Sequence, residues 1–396
     1  MDASLTAQTG SVKSEPASMT LQKQQFYRHD YLLVVFRDVL RLSDYLIVTL
    51  AVIVSGIVLF GLAPLAGKAA ILYGFQGRQL INTIFAVLQV LLIYPVLAWV
   101  SVSLPAELAN LFNTLHDNGV IGEPRSAGSG GLTYEAFLQK FVAWADSIWW
   151  FVGAIVVVAA YWIYRLTIVW PFFSKQGGLW LQIAILAISS FMIYAVFYSV
   201  VRILVTLVFA NWLIRAFTVK VNPLHPDGSA GLGALGYMLI LSVVLLVTMG
   251  VAALVMNSSY LLGNDTSFSV VEAVFFGAIY LALAPSLLIG WLALPHQAMV
   301  DARNDVLLPL SREFQLAVVQ TDPAGKADAS SIKADNDRLD ELKRRYKLVE
   351  DTYPTYPLAI EKVRRLAATL TLPALLPILS PFILALATYV SKTFLH

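Results

Sequence analysis

The residues with the clearest chemical potential are two His/Asp pairs in short glycine-containing turns. His116 and Asp117 lie in the tetrapeptide HDNG, and His225 and Asp227 lie in HPDG. Two imidazoles and two carboxylates are enough ligands for a divalent cation, and they could also carry protons. The alternative is structural, with Asp227 capping the helix that follows. We favour the structural alternative and predict no metal site.

The HPDG turn continues into a glycine-rich stretch that we predict to be a rigid elbow before a transmembrane helix. The glycines match a dinucleotide-binding pattern, but no strand precedes them and an apolar helix follows. Small residues here allow the helix to start tightly and to pack closely against a neighbour. Gly228 is expected to need a left-handed backbone. The predicted elbow consists of His225, Pro226, Asp227, Gly228, Gly231, Gly233 and Gly236.

Several polar residues interrupt the apolar stretches and form a candidate polar pathway. Hydrogen bonds between helices explain most of them equally well. The one acidic candidate, Glu272, either serves a function near the membrane edge or is a solvated residue in the first turn of a helix. The candidates are Asn82, Gln89, Gln182, Asn257 and Glu272.

Other classes of chemistry find no support in the sequence. The chain has no cysteine, which excludes disulfides and thiolate sites. No charge is visible deep inside a predicted span, which argues against proton pumps and voltage sensors. Walker, HExxH and nucleophile-elbow motifs are missing, so we predict no catalytic site, cofactor or nucleic-acid partner.

The elements that must carry these residues are transmembrane helices. Of 396 residues, 58% are hydrophobic and 13% are charged. The apolar residues form uninterrupted blocks of about 20, the length that crosses about 30 Å of hydrocarbon. The sequence therefore predicts an all-α, polytopic transmembrane helical bundle of about seven spans in contact with the lipid bilayer.

Chain organisation follows from these blocks. A disordered N-terminal tail (1–24) precedes an interfacial amphipathic helix at 25–42. The transmembrane bundle covers 43–295, with Ser43 or Asp44 as its first cap and Pro95 as a kink. A cytoplasmic helical region at 296–366 precedes the last span, near 367–390. The six earlier spans are predicted near 43–64, 80–103, 147–165, 180–202, 233–256 and 270–294.

The cytoplasmic region is predicted to be a helical hairpin of 296–320 and 331–350. Apolar residues of the second helix follow the a/d spacing of a packed seam. This seam suits contacts with a second copy of the chain or with a cytoplasmic protein. Its members are Leu339, Leu342, Tyr346 and Val349.

Basic residues give the orientation. With seven spans and a cytoplasmic N-terminus, 22 of the 27 Lys and Arg residues fall on the cytoplasmic side. Six spans would also keep the basic region between 303 and 365 inside. The count of basic residues therefore determines the orientation of the chain in the membrane better than it determines the number of spans.

Three segments resemble a known group. NPLHPDGSAGLGALG, LALAPSLLIG with the helix after it, and YPTYPLAIEKVRRLAATLTLPALLPIL are similar to uncharacterised bacterial multi-spanning membrane proteins that carry an HPD-x-x-GGLG loop and a Pro-rich last span. The similarity covers roughly 220–380, and Ser229-Ala230-Gly231 departs slightly from the group's glycine pair. It implies the bacterial cytoplasmic membrane and supplies no activity.

Two functions remain open at this point. The first is a channel-like or passive transport protein, expected to be a homo-oligomer, because polar uncharged residues and helix-kinking prolines lie in the spans. The second is a membrane-embedded sensor or interaction scaffold that presents 296–366 to a cytoplasmic partner.

Overall fold

The computed structural model describes residues 20–61, 83–84, 86–124, 133–164, 166–167, 179–222, 225–261, 266–320, 329–353 and 368. Within these ranges, six helices are long and apolar enough to cross a membrane, which confirms the multi-pass helical prediction. The predicted last span, near 367–390, falls outside them except for residue 368, so the number seven stays a prediction. The candidate spans are Asp44–Gly61, Ala86–Asp117, Tyr134–Tyr164, Leu186–Ala216, Gly233–Ala252 and Ala282–Val319.

The N-terminal segment is not the single amphipathic helix predicted for 25–42. It contains a 3-10 turn at Lys23–Phe26, helix α1 at Tyr31–Val34 and a π-helical turn at Val35–Val39. The break between the first two arises at Asp30, whose side chain accepts a hydrogen bond from the Leu33 N–H and so starts α1 afresh. The predicted tail also ends earlier, because Leu21 is already buried.

The first two spans contain π-helical turns. Helix α2 (Asp44–Gly56) continues as a π-turn to Gly61, and the Ser43 hydroxyl caps it by accepting from the Leu46 N–H. A π-turn at Gln89–Ile93 leads into α3 (Tyr94–Asp117). Pro95 lies in the first turn of α3 and cannot donate to the turn before it, which accounts for the irregularity predicted there.

Helix α3 continues well beyond the predicted end of the second span at residue 103. Pro105 lies inside it and is buried, and the helix continues for twelve residues beyond the proline, to Asp117. One missing hydrogen bond is tolerated because α3 packs against several other elements of the fold. Residues 105–117 are therefore helical, and Leu108, Leu111, Phe112 and Leu115 among them lie in the main core.

Helices α4 (Tyr134–Ala145) and α5 (Ile148–Tyr164) follow. The second of them matches the span predicted at 147–165. Helix α4 buries Phe137 and Phe141 against Phe112 of α3, with ring centroids 5.9 and 4.4 Å from it. This aromatic contact ties the connection between the spans to the main core.

Helix α6 (Leu179–Ala216) is continuous for 38 residues and ends in a short strand. That strand, β2 (Phe217–Val219), pairs antiparallel with β1 (Ile121–Pro124), so the fold carries a two-stranded sheet that the all-α prediction did not include. Helix α7 (Gly233–Leu261) then crosses the bundle.

The predicted boundary at residues 295 and 296 does not exist as a break. Helix α8 (Thr266–Gln320) runs for 55 residues through Pro285, Pro295 and Pro309. Helix formers such as Leu, Ala, Gln and Met flank Pro295, and each proline removes only one backbone hydrogen bond. At 1.5 Å per residue, α8 is about 80 Å long, more than twice the thickness of the hydrocarbon core.

The last described helix, α9 (Ala329–Thr352), folds back along α8. Ion pairs join Arg303 to Glu350 at 3.8 Å and Glu313 to Arg338 at 3.6 Å. Because the earlier α8 residue meets the later α9 residue, the two helices are antiparallel. They form the predicted helical hairpin, while its cytoplasmic location stays a prediction.

Candidate functional site

The elbow is organised by the carboxylate of Asp227. Its Oδ1 accepts hydrogen bonds from the backbone N–H of Ser229 at 2.8 Å and of Gly231 at 3.0 Å. Its Oδ2 accepts from the N–H of Gly233, the first residue of α7, at 3.0 Å. Asp227 thus satisfies a helix-terminal donor, as a cap does, and also fixes the loop before the helix.

The ionised form of Asp227 is favoured at this place. Partial burial raises its pKa, but the three N–H donors and His225 outweigh burial and hold the pKa below its ordinary value. His225 Nδ1 lies 2.9 Å from Asp227 Oδ1. The His225 and Asp227 side chains therefore contact each other within the turn.

Glycine is required at two elbow positions. Gly228 has φ of +64° and Gly231 has φ of +91°, both in the left-handed region. A Cβ on Gly231 would also stand 2.6 Å from Cγ2 of Val120. The neighbouring Ala230, with φ of +57°, adopts the same unusual conformation with a side chain.

The two His/Asp turns meet in space although they lie over 100 residues apart. Asn118 of the HDNG turn donates through Nδ2 to the carbonyl of Gly231 at 3.1 Å. The N–H of Lys220 donates to the Val120 carbonyl at 2.8 Å, next to the pairing of β1 with β2. The elbow is therefore clamped to the end of α3.

The four-residue His/Asp cluster itself does not form. His116 stacks on Tyr134 with ring centroids 5.0 Å apart, and its Nδ1 lies 3.7 Å from Oδ1 of Asp117. Among the described residues, no three His, Asp or Glu side chains come together as metal ligands.

An open groove of about 590 Å³ adjoins the elbow. It opens between the last turns of α3 and the first turns of α7. Its polar lining comes from Glu107, Asn110, Thr114, Asn118, His225, Asp227 and Tyr237.

The candidate polar pathway is described at one residue only. Gln89 is half-buried in the π-turn before α3. Asn82 lies outside the described residues. Gln182, Asn257 and Glu272 lie on helices, but their side chains are outside the described part of the structure. The pathway therefore stays a prediction.

The predicted seam of α9 has one deeply buried member. Leu342 is 4% exposed, Leu339 and Val349 are half-buried, and Tyr346 is 38% exposed. The inward side of α9 is thus covered by α8 of the same chain.

A second polar site, not anticipated from the sequence, lies inside the bundle. Arg202 of α6 is 1% exposed and lies within the candidate span Leu186–Ala216, whereas the sequence showed no charge deep inside a predicted span. Its guanidinium donates through Nη1 to Asp30 Oδ2 at 3.0 Å and through Nη2 to the Phe26 carbonyl at 2.6 Å. The guanidinium also lies 4.8 Å from the ring centroid of Tyr198.

Two tyrosines and a histidine complete this site. The Tyr194 hydroxyl donates to Asp30 Oδ1 at 2.9 Å, and the Tyr198 hydroxyl donates to the His29 carbonyl at 3.0 Å. His29 Nδ1 lies 2.9 Å from Asp146 Oδ2, between α4 and α5. A buried charge is retained only when it is paired and hydrogen-bonded. The network gives Arg202 an acidic partner and hydrogen bonds at Nη1 and Nη2, whereas its buried Nε makes none within the described residues.

The sequence did contain one signal for this site. Arg202 interrupts an apolar stretch that extends to Phe217, and an isolated arginine in such a stretch needs an acidic partner. Its partner, Asp30, is 172 residues away in a segment assigned to the membrane surface. Nothing in a single sequence links the two.

Fold and sites together define a multi-pass helical membrane protein in which residues 20–42 pack against the helices. No family model, curated protein or solved structure matches the chain.

Proposed function

We propose that the protein is a membrane-embedded interaction scaffold of the bacterial cytoplasmic membrane that presents the hairpin of α8 and α9 to another protein on the cytoplasmic side. The supporting observation is the apolar surface of the hairpin. Near the end of α8, Leu316 is 62% exposed, Val318 is 47% exposed and Val319 is 78% exposed.

Lipid does not account for this exposure. The same stretch of α8 carries Asp301, Arg303, Asp305, Arg312 and Glu313, and a helix with this charge density is not stable in hydrocarbon. Several exposed apolar side chains grouped on one short segment in an aqueous region indicate a protein interaction surface. A second copy of the chain or a different cytoplasmic protein would cover it.

Continuity of α8 supports the same function. The helix packs against α7 within the bundle and continues without a break into the hairpin. A change in the bundle would therefore move the hairpin as one body, as a sensor requires.

Photo-crosslinking in intact membranes tests this proposal. A photoreactive amino acid at Val319 should give adducts with protein, whereas one at Arg345, an exposed charged position paired with Glu341, should give few. Equal yields at both positions, or no protein adduct at Val319, would contradict the scaffold. Adducts with the chain itself would identify a homo-oligomer.

A channel-like or passive transport protein is the second candidate. The open groove of about 590 Å³ beside the elbow supports it, because a groove that carries several polar side chains could serve as a vestibule. Liposomes containing the protein should then release trapped small ions faster than protein-free liposomes. Identical release rates would remove this candidate.

A further inference from the structure

The N-terminal strap, residues 20–42, lies beside the ends of two apolar helices. Arg37 of the strap donates to the carboxylate of Asp44, the first residue of α2, at 2.6 Å. The ring of Tyr31 meets that of Phe151, near the start of α5, with centroids 4.7 Å apart. Helices α2 and α5 both belong to candidate membrane spans. The strap is therefore at the level where the hydrocarbon of a bilayer gives way to its headgroups.

The helical part of the strap carries apolar side chains on two sides. Its inner side packs on the bundle, where Leu33 is buried in a cluster with Ile47 and Val102. Residues 31, 35 and 39 follow one another at intervals of four, so they share the opposite, outer side of these helical turns. The exposed apolar residues of this outer side are Tyr31, Val35, Val39 and Leu40. An exposed apolar group of this kind indicates a surface that another phase or molecule covers.

The outer side of the strap adjoins a surface that faces lipid. On α5, Val152 and Val156 are exposed apolar residues of a candidate span, and such residues contact acyl chains. Val152 follows Phe151, the residue that Tyr31 contacts, so the two apolar surfaces are continuous. Trp149 is exposed at the start of α5, and tryptophan is enriched where a span meets the headgroups. This continuity favours lipid as the cover of the strap.

The accessible charges of the strap are basic. Lys23, Arg28 and Arg41 are exposed, and none of them forms an ion pair within the described residues. The two acids of the strap are less accessible, because Asp30 is buried in its ion pair and Asp38 is half-buried. A short segment with an apolar side and unpaired basic residues binds anionic lipid, since insertion of the apolar side adds to attraction by the headgroups.

We propose that the outer side of the N-terminal strap is a binding surface for anionic phospholipid. Its apolar side chains lie among the first carbons of the acyl chains, and its basic side chains lie at the phosphates. The inner side holds Asp30 against Arg202 of α6, so the strap connects the lipid headgroups to the buried ion pair. To the interfacial location predicted from the sequence, the exposed residues add the side that meets lipid and the class of lipid. This inference does not depend on what the hairpin binds.

Fluorescence quenching by spin-labelled lipids tests the depth of this surface. The chain has no native cysteine, and Val39 is 68% exposed, so Val39→Cys can carry a single fluorophore in protein reconstituted into vesicles. The spin label is placed on the acyl chain of the lipid, either near the headgroup or near the chain end. Val156→Cys, 60% exposed on α5, is the matched position within a span. Asp337→Cys, exposed on the charged helix α9, is the matched position in water.

We expect the fluorophore at Val39→Cys to be quenched more strongly by the label near the headgroup than by the label near the chain end. Val156→Cys should show the reverse order, since it lies about 12 Å along α5 from the start of the helix. Asp337→Cys should be quenched weakly by both labels. Quenching at Val39→Cys as weak as at Asp337→Cys would overturn the proposal, because protein or water would then cover the outer side.

The class of lipid is tested with the label near the headgroup, carried either by anionic phosphatidylglycerol or by zwitterionic phosphatidylcholine at equal content. The anionic lipid should quench Val39→Cys about two- to fivefold more strongly, since one basic residue near an anionic surface favours association about fivefold. Combining Lys23→Gln, Arg28→Gln and Arg41→Gln should abolish this preference without changing the depth of the fluorophore. Equal quenching by the two lipids before these changes, or a preference that survives them, would overturn the assignment of anionic phospholipid.

Discussion

At the scale of single residues, the two acids that matter most act on different partners. Asp227 lies near the surface and binds three backbone N–H groups, so its role is to shape a loop and start a helix. Asp30 is 2% exposed and binds a guanidinium, a phenol and one backbone N–H. Its role is to make a buried charge tolerable.

The first residue-scale prediction concerns Asp227. A helix cap that uses only one side-chain oxygen would tolerate asparagine. Here both carboxylate oxygens of Asp227 accept N–H hydrogen bonds, and the NH₂ group of asparagine cannot accept one. We therefore expect Asp227→Asn to cost part of the roughly 0.5–2 kcal/mol expected for Asp227→Ala. Unfolding in detergent, with and without a chelator, measures both variants and His225→Ala.

A metal site would give a different pattern in the same experiment. Chelator would lower the native melting temperature, and the variants Asp227→Asn and His225→Ala would both lose that sensitivity. This outcome would contradict the structural role assigned to the elbow.

The second prediction concerns the buried ion pair. Removing one member leaves an unpaired buried charge, so Asp30→Ala should cost about 3–5 kcal/mol. The double variant Asp30→Ala, Arg202→Met leaves neither charge of the pair and should cost clearly less than the sum of the single changes. Additive losses in the unfolding free energy would show that the two side chains do not interact.

At the scale of elements, the hydrophobic blocks predicted the positions of the helices better than they predicted the residues at which the helices end. The first, third and fifth predicted spans agree with α2, α5 and α7 in position, because apolar length alone determines them. The boundaries predicted next to Pro105 and Pro295 are wrong, because α3 and α8 continue through these prolines. Proline removes one hydrogen bond locally, and tertiary packing decides whether the helix continues.

The element-scale prediction compares two leucines of α9. Leu342 is 4% exposed against α8 and Leu348 is 67% exposed. Leu342→Asp should separate the two helices, since loss of a buried leucine alone costs about 2–5 kcal/mol and the variant adds a buried charge. Leu348→Asp is the matched control on the same helix and should leave the hairpin intact.

Limited proteolysis between α8 and α9 measures this difference. Rapid cleavage is expected for Leu342→Asp and slow cleavage for both Leu348→Asp and the native chain. Equal cleavage of all three proteins would show that α9 is not packed through Leu342.

At the scale of the whole molecule, the sequence was sufficient for the class of protein and insufficient for its interior. Composition and block length predict a multi-pass bundle, since both follow from bilayer thickness. The contact of Asn118 with Gly231 and the pairing of Asp30 with Arg202 join residues 113 and 172 positions apart. Such contacts depend on how the helices pack, which local patterns do not contain.

Topology is the property on which the whole account depends, because a hairpin on the cytoplasmic side is what a scaffold would present. Single cysteines introduced into this cysteine-free chain report it directly. With an impermeant maleimide added outside intact cells, we predict labelling of Ser391→Cys and protection of Asp335→Cys until the membrane is permeabilised. Protection at both positions would indicate six spans with the hairpin still inside. Labelling of Asp335→Cys in intact cells would contradict the account, because the hairpin would then lie on the outer side.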